Sequence, residues 1–311
     1  MTFDPDHFVL DCRGRALNCR PGSEAGVHVM GILNVTPDSF SDGGRYLDSD
    51  EALRRAEAML EEGAALIDVG GESSRPRGSV YGAGAEAVPA EAEMRRVAPV
   101  VEAIARWFPE ALISVDTYKP GVARAALAAG AHLINDITGL RYDPEMATVA
   151  AEAGAPLIVM HALGRPGEMP HEHRYADVVE EVKVSLETSV RRAEAAGVRH
   201  VVTDPGFGFG KTAAENLRLV NGVDVLLTLR RPVLVGISRK STIGAVLGRP
   251  GAPAPVEARL YGSLGATAVA VMRGATLVRT HDVRPTVEML RVLTAILNFE
   301  NEIQKNHFSN F

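Results

Sequence analysis

ALISVDTYKPGVARAALAAGAHLINDIT, residues 111–138, holds two apolar runs about a helical segment. Its two ends, 111–117 and 132–138, are short runs of nearly continuous apolar character rather than alternating ones. Strands of that kind need cover on both faces, which is the condition of a parallel sheet. The residues between them read as a helix. Together they make one strand–helix–strand unit.

The unit recurs in both directions. Similar runs stand at VHVMGILNVT (27–36), ALIDVGG (65–71), PLIVMHA (156–162), HVVTDPG (200–206), PVLVGIS (232–238) and ATLVRTH (275–281). That makes eight runs, spaced by about 35 residues on average, the size of one βα unit. The intervening segments carry helix signals. Asp143 is a candidate N-cap with Pro144 at the first helical position and Gly154 past the last turn, and Thr212 with Glu215 makes a capping-box pattern. The prediction is an α/β fold, a single (β/α)8 TIM barrel with a short N-terminal hairpin; a doubly wound open sheet is the alternative. In FVLDCRGRALNCR a central Arg-Gly separates two strand-like runs, so residues 1–26 are expected to form a hairpin closing the barrel bottom. The barrel is expected over 27–298. Residues 299–311 are expected to be a frayed or loosely docked tail.

Composition narrows the function. A 311-residue chain with 46% hydrophobic and 23% charged residues is long and apolar enough to bury a large core. A net charge of −6 with 5% aromatic residues argues against a general nucleic-acid binder, which needs a basic field and stacking platforms. No secretory signal and no run long enough to span a membrane is found, so a cytoplasmic protein is expected. Cys12 and Cys19 read as two reduced thiols, too few for a disulfide framework or a metal cage.

In such a barrel the chemistry sits at the C-terminal ends of the strands. The runs end in Asn34; Asp68, leading to Glu72 and Arg75; Asp116; Asn135 and Asp136; Met160 and His161; Asp204; Ser238, Arg239 and Lys240; and Arg279, His281 and Asp282. Asp116, Asn135 and Asp204 suit a planar heterocycle bearing amino and amide groups, with Lys240 able to donate to a ring carbonyl or nitrogen. Arg279 and His281, two apart on one strand, should share a face and form a small cationic site fit for phosphate. Asn34 offers a hard oxygen of the kind Mg²⁺ tolerates. Asp68 and Asp136 have a plainer reading as turn caps or partners of a buried arginine, His161 as a core histidine, and Arg239 as structural if Lys240 faces the site. PGFGFGKT (205–212) looks like a phosphate loop, but Pro205 stands where that pattern needs glycine, so a tight strand-to-helix turn is the competing reading.

GILNVTPDSFSDGG (31–44) with IDVGGESSRPRG (67–78) resembles the paired signature of the dihydropteroate synthase family. SVDTYKPGVARAAL, INDITGL, VMHALGRPGEMP, DPGFGFGKTAAEN, VGISRKSTIG and RTHDV follow in that family's order, so the resemblance covers about residues 27–292. It implies a homodimeric TIM barrel. The reaction implied is the condensation of 6-hydroxymethyl-7,8-dihydropterin diphosphate with p-aminobenzoate, with Mg²⁺ as cofactor and sulfonamides as inhibitors. By the same resemblance Asp116, Asn135, Asp204 and Lys240 hold the pterin with Met160 beside its ring. Asn34, Arg279 and His281 take the diphosphate and metal end. Phe40, Ser74, Arg75, Pro76, Phe209, Lys240 and Ser241 lie near aminobenzoate. The family usually reads S-T-R-P-G in its second loop, whereas here Ser74 replaces Thr and Arg77 replaces Gly, and the loop runs longer. Residues 73–90 are therefore expected to gate aminobenzoate rather than pterin. The competing functional class is a non-catalytic or methyl-carrier pterin-binding protein, which has no reason to keep a cationic diphosphate site.

Overall fold

A strand buried on both faces must alternate its side chains between two cores, one outside the barrel and one within it. The computed structural model, which describes residues 5–22, 26–36, 45–73, 88–164 and 175–308, has this arrangement. A first turn of helix, α1 (Pro5–Phe8), leads into β1 (Val9–Asp11) and β2 (Ala16–Asn18). The barrel then runs β3 (His28–Asn34), α2 (Arg45–Glu61), β4 (Leu66–Gly70), α3 (Ala90–Trp107), β5 (Leu112–Asp116), α4 (Pro120–Ala128), β6 (Leu133–Asp136) and α5 (Glu145–Ala153). It continues through β7 (Leu157–Met160), α6 (Val178–Ala195), β8 (Val201–Asp204), α7 (Ala213–Asn221), α8 (Val223–Leu226), β9 (Leu234–Val235), α9 (Ser241–Leu247), α10 (Leu260–Met272), β10 (Leu277–Thr280) and α11 (Val283–Phe308).

The eight strands β3 to β10 are parallel and lie in the order β8-β7-β6-β5-β4-β3-β10-β9. A bridge between Thr203 and Val233, with Thr203 N–H donating to the Pro232 carbonyl at 2.9 Å, joins β8 to the start of β9 and closes the ring. An open doubly wound sheet is thereby excluded. β9 keeps only two of the seven residues in its apolar run.

The pleat explains what fills the barrel. Each strand contributes one inward residue to a single apolar layer: Met30, Leu66, Leu112, Leu133, Ile158, Val202, Leu234 and Leu277. Their neighbours Val29, Ile67, Ile113, Ile134, Leu157, Val201, Val235 and Val278 belong instead to the outer core under the helices. The hairpin plugs the layer from below, because Leu10, Cys12, Leu17 and Cys19 belong to the same cluster. β1 and β2 pair antiparallel, with Arg13 and Gly14 at φ +56° and +93° between them. Two positive φ values suit the twist of a two-residue hairpin turn. Asp11 fixes the turn by accepting the Gly14 N–H at 2.6 Å, and the Arg13 guanidinium donates to the Leu127 carbonyl at 2.8 Å, anchoring the hairpin to α4.

Helix ends follow the local rules with small shifts. The Thr212–Glu215 capping box is formed in both directions, and Gly154 closes α5 in the left-handed conformation. Pro144, rather than Asp143, is the residue before α5, while Asp143 accepts the Glu145 N–H at 2.9 Å. α11 runs on to Phe308, across the 298/299 boundary set between barrel and tail. No Gly or Pro follows Pro285 up to Phe308, so nothing in the backbone stops the helix there.

Candidate active site

Moving up two or four residues from the apolar layer keeps a side chain inside the barrel but brings it to the C-terminal mouth. The inward ladder of β5 is thus Leu112, Ser114, Asp116; that of β4 is Leu66, Asp68, Gly70; and those of β6, β8 and β10 end in Asn135, Asp204 and Arg279. Asn34, Gly70, Asp116 and Asn135 fall on one register row across four neighbouring strands. Met160 pairs with Asp204 further round. The pleat therefore gathers the predicted pterin residues on one rim.

Arg279 is the centre of this rim. Its Nε donates to Asp68 Oδ2 and its Nη2 to Asp116 Oδ2, both at 2.6 Å. Asn135 Nδ2 donates to the same Asp68 oxygen at 3.1 Å. Burial works against the guanidinium's charge, but the two carboxylates outweigh it and raise its pKa. Burial pushes the Asp116 carboxyl up to about 7; Arg279 draws it down and Asp68 adds to the rise. One guanidinium thus serves two buried carboxyl groups.

Across the mouth, Asp204 accepts the Gly206 N–H at 2.7 Å. Burial raises its pKa against the Lys240 charge. Lys240 Nζ donates to the Phe207 carbonyl and stands 4.4 Å from the centre of the Phe209 ring. Burial lowers this lysine to about 7, with Asp204 opposing the fall. Met160 and Phe209 share one apolar cluster with Tyr118, Ile137 and Ala162, which walls one side of the mouth.

The expected cationic pair is not formed as such. Arg279 turns across to β4 and β5, whereas His281 lies just beyond β10 and places Nδ1 3.1 Å from Ser238 Oγ. Desolvation, then the Arg279 charge, holds the His281 imidazole below its ordinary range, so near neutrality it is uncharged. Spacing by two gave a shared face but could not show which partners lay within reach. The plainer readings hold for two neighbours. Asp136 caps its own turn through the Thr138 and Leu140 N–H groups, both at 2.8 Å, and Arg239 forks onto Asp282, with Nε 2.8 Å from Oδ2. His161 is buried beside Tyr175. Ser241 opens α9, next to Lys240. Phe40, Ser74, Arg75 and Pro76 lie outside the described residues, as does most of the expected 73–90 gate.

Three supporting groups stand beside the site residues predicted from sequence. Asp68 takes its plainer reading, the partner of a buried arginine, and holds Arg279 and Asn135 together. Glu72, Lys119 and Glu93 form a buried ion triad, with Tyr118 donating to Glu72 at 2.7 Å. Lys119 lies within SVDTYKPGVARAAL, but Glu93 carries no motif signal, since its meeting with the lysine depends on how α3 packs. Lys211 donates inward to backbone carbonyls of its own turn and of His161.

Among the described residues no helix is long and apolar enough to cross a membrane. A model of the family described as "Pterin binding enzyme" matches residues 30–281. The chain is 46% identical over 273 residues to the dihydropteroate synthase of Escherichia coli K12, covering 87% of this chain and 92% of that one. It is 48% identical over 272 residues to a probable bifunctional folylpolyglutamate synthase/dihydropteroate synthase of Haloferax volcanii, of which it spans 30%. Among solved structures, a dihydropteroate synthase of Xanthomonas albilineans with 4-aminobenzoic acid superposes with a TM-score of 0.81 at 45% identity, covering 93% of this chain and 98% of that one.

Proposed function

The chain belongs to the pterin-binding enzymes, within them to the dihydropteroate synthase family, and on that premise we propose that it makes 7,8-dihydropteroate for folate biosynthesis. It joins 6-hydroxymethyl-7,8-dihydropterin diphosphate to p-aminobenzoate. The carbon–oxygen bond to diphosphate breaks, the amine nitrogen bonds to the exocyclic carbon, and the amine proton passes to water. The observation that carries this reading is the convergence of Asp116, Asn135 and Asp204 with Arg279 and Lys240 beside the Met160–Phe209 wall.

The residues divide the work by charge. Asp116 and Asp204 accept the ring N–H groups and, as carboxylates, favour the cation that develops on the pterin as diphosphate departs. Asn135 and Lys240 donate to the ring, and Met160 packs against it. Arg279 and His281 face the departing diphosphate, His281 as a neutral donor. Phe209, Lys240 and Ser241, with Phe40, Ser74, Arg75 and Pro76, are assigned to aminobenzoate. Sulfonamides, which share its shape, are expected to compete for the same place. Aromatic amines are neutral and nucleophilic at pH 7, so the chain's residues need only orient this one.

Mg²⁺ belongs to the same proposal. Among the described residues no three His, Cys, Asp or Glu side chains gather into a metal cage. Asn34 instead offers one hard oxygen, beside the gap that Gly70 leaves: a Cβ there would stand 3.7 Å from Asn34 Oδ1 and 3.4 Å from Asp116 Cβ. A single protein oxygen fits Mg²⁺, which keeps waters and takes phosphate oxygens. Bound there, the ion would offset charge on the diphosphate, a contribution of several kcal/mol.

Diphosphate release that requires both substrates, with dihydropteroate identified by mass spectrometry, tests the reading. Pterin binding without release would instead favour a non-catalytic or methyl-carrier pterin-binding protein.

We also propose a cytoplasmic homodimer. The free thiols of Cys12 and Cys19, both buried, suit a reducing compartment. α10, LYGSLGATAVAVM, carries no charged side chain, yet Tyr261, Val269 and Met272 on it are 83%, 42% and 62% exposed. Val292 and Ile296 of the adjoining α11 are exposed as well. An apolar stripe on two neighbouring helices suits a second copy of the same surface. Sedimentation equilibrium should return twice the 33.1 kDa chain mass, and a monomer at micromolar concentration would reject the dimer. The division into hairpin, barrel and tail, 1–26, 27–298 and 299–311, is proposed on the same terms, with the helical run to Phe308 noted above.

A further inference from the structure

PGFGFGKT (205–212), the turn after β8, includes a lysine for which the proposed reaction has no role. Gly206, Gly208 and Gly210 all take positive φ, at +68°, +83° and +64°. In a phosphate loop such glycines let amides face an anion. Here the polarity is reversed. Lys211 Nζ points back into its own turn and donates to the carbonyls of Gly206 at 2.9 Å, Phe209 at 3.0 Å and His161 at 3.3 Å. The start of α7 is closed by its own capping box, in which Thr212 Oγ1 accepts the Glu215 N–H at 3.3 Å while Glu215 accepts the Thr212 N–H at 2.7 Å. The lysine's charge is thus spent on the turn's own carbonyls rather than held out toward an anion.

The turn is held from its other side by the site itself. Lys240 donates to the Phe207 carbonyl and packs its ammonium against the Phe209 ring. Asn216 accepts the Gly208 N–H at 2.7 Å and donates to the Lys211 carbonyl at 3.2 Å and to Thr242 Oγ1 at 2.9 Å. Two ammonium groups and one carboxamide therefore fix a backbone that glycine leaves soft. Gly206 cannot be stiffened by a side chain, since a Cβ there would stand 1.9 Å from the His161 carbonyl oxygen.

We propose that Lys211 is a positioning residue for the second substrate. Its ammonium gathers the carbonyls of the 205–210 turn, and so sets the Phe209 ring and the Phe207 carbonyl on which Lys240 rests. The proposal depends on the dihydropteroate synthase reading above. It should weigh on p-aminobenzoate more than on pterin, because Asp116 and Asn135 are held by β5, β6 and the Arg279 network, and among the pterin donors Lys240 alone rests on this turn. Asp204 touches the turn through the Gly206 N–H and stands within reach of the Lys211 charge, so pterin should feel the change weakly.

Lys211→Met keeps the aliphatic stem and removes the ammonium. Its KM for p-aminobenzoate should rise about tenfold or more, while the dissociation constant for pterin diphosphate stays within about threefold of wild type. Lys211→Arg, which keeps a cation with several N–H donors, should return KM most of the way. If the methionine variant fails to fold, Lys211→Gln supplies the same comparison with a neutral donor. Unchanged aminobenzoate KM in a folded neutral variant would overturn the proposal. So would equal losses for both substrates, or an arginine variant no better than methionine. Failure of the wild-type protein to form dihydropteroate would be a separate result and would remove the functional reading together with this role.

Discussion

Replacing Arg279 with alanine is expected to cost both stability and turnover. The guanidinium binds Asp68 and Asp116 at 2.6 Å each, and Asp68 is fully buried. Removing one partner of a buried ion pair leaves uncompensated charge, at about 3–5 kcal/mol. The urea midpoint of the unliganded protein should fall accordingly, and turnover should fall about a hundredfold or more through loss of a donor to the departing diphosphate. Strand-end spacing alone would leave binding of a phosphate-free pterin nearly intact in this variant. The observed bonds change that expectation, since Asp116 loses its own partner and pterin affinity should weaken too. Arg279→Lys should recover part of the stability but little of the turnover, because an ammonium cannot fork onto two carboxylates. An alanine variant that unfolds at the wild-type midpoint would show that the Asp68–Arg279–Asp116 bridge carries no weight.

Asp116→Asn should cost pterin affinity about 1–3 kcal/mol, because a carboxamide presents a donor where the ring needs an acceptor. Its pH behaviour is the sharper test. Burial holds the folded-state pKa of Asp116 at about 7, above the carboxylate's unfolded value. Between those values the native state keeps a proton that the unfolded chain has released, so stability falls as pH rises through about 7. Wild type should lose stability relative to the variant over that interval, since asparagine does not titrate. Pterin binding should move the opposite way and tighten as pH rises and Asp116 becomes a carboxylate. Parallel pH profiles for the two proteins, or equal pterin affinities, would contradict this role.

Much of the site was legible because a barrel strand has a period of two. Asp116 lies four residues beyond Leu112, Asn135 two beyond Leu133, and Arg279 two beyond Leu277, so a sequence with its strands located already ranks these groups by height in the barrel. Local chemistry was equally readable at Thr212 with Glu215 and at Arg13 with Gly14, where cap and turn depend on near neighbours alone. The course of α11 was less so. The compositional shift near residue 299 suggests a loose end, yet helix continues where no breaker intervenes.

The (β/α)8 fold, the apolar floor and the identity of the polar groups on the rim are readable from the residues alone, because they follow from periodicity within each strand. Tertiary structure decided which charges meet. Arg279 reaches carboxylates 211 and 163 residues away, and so does not make a free cationic pair with His281 two residues on. Lys211 is likewise turned into its own loop by the carbonyl of His161, 50 residues earlier. A long side chain chooses among partners within a few ångströms, and which partners those are is set by strand register and helix packing rather than by spacing along the chain.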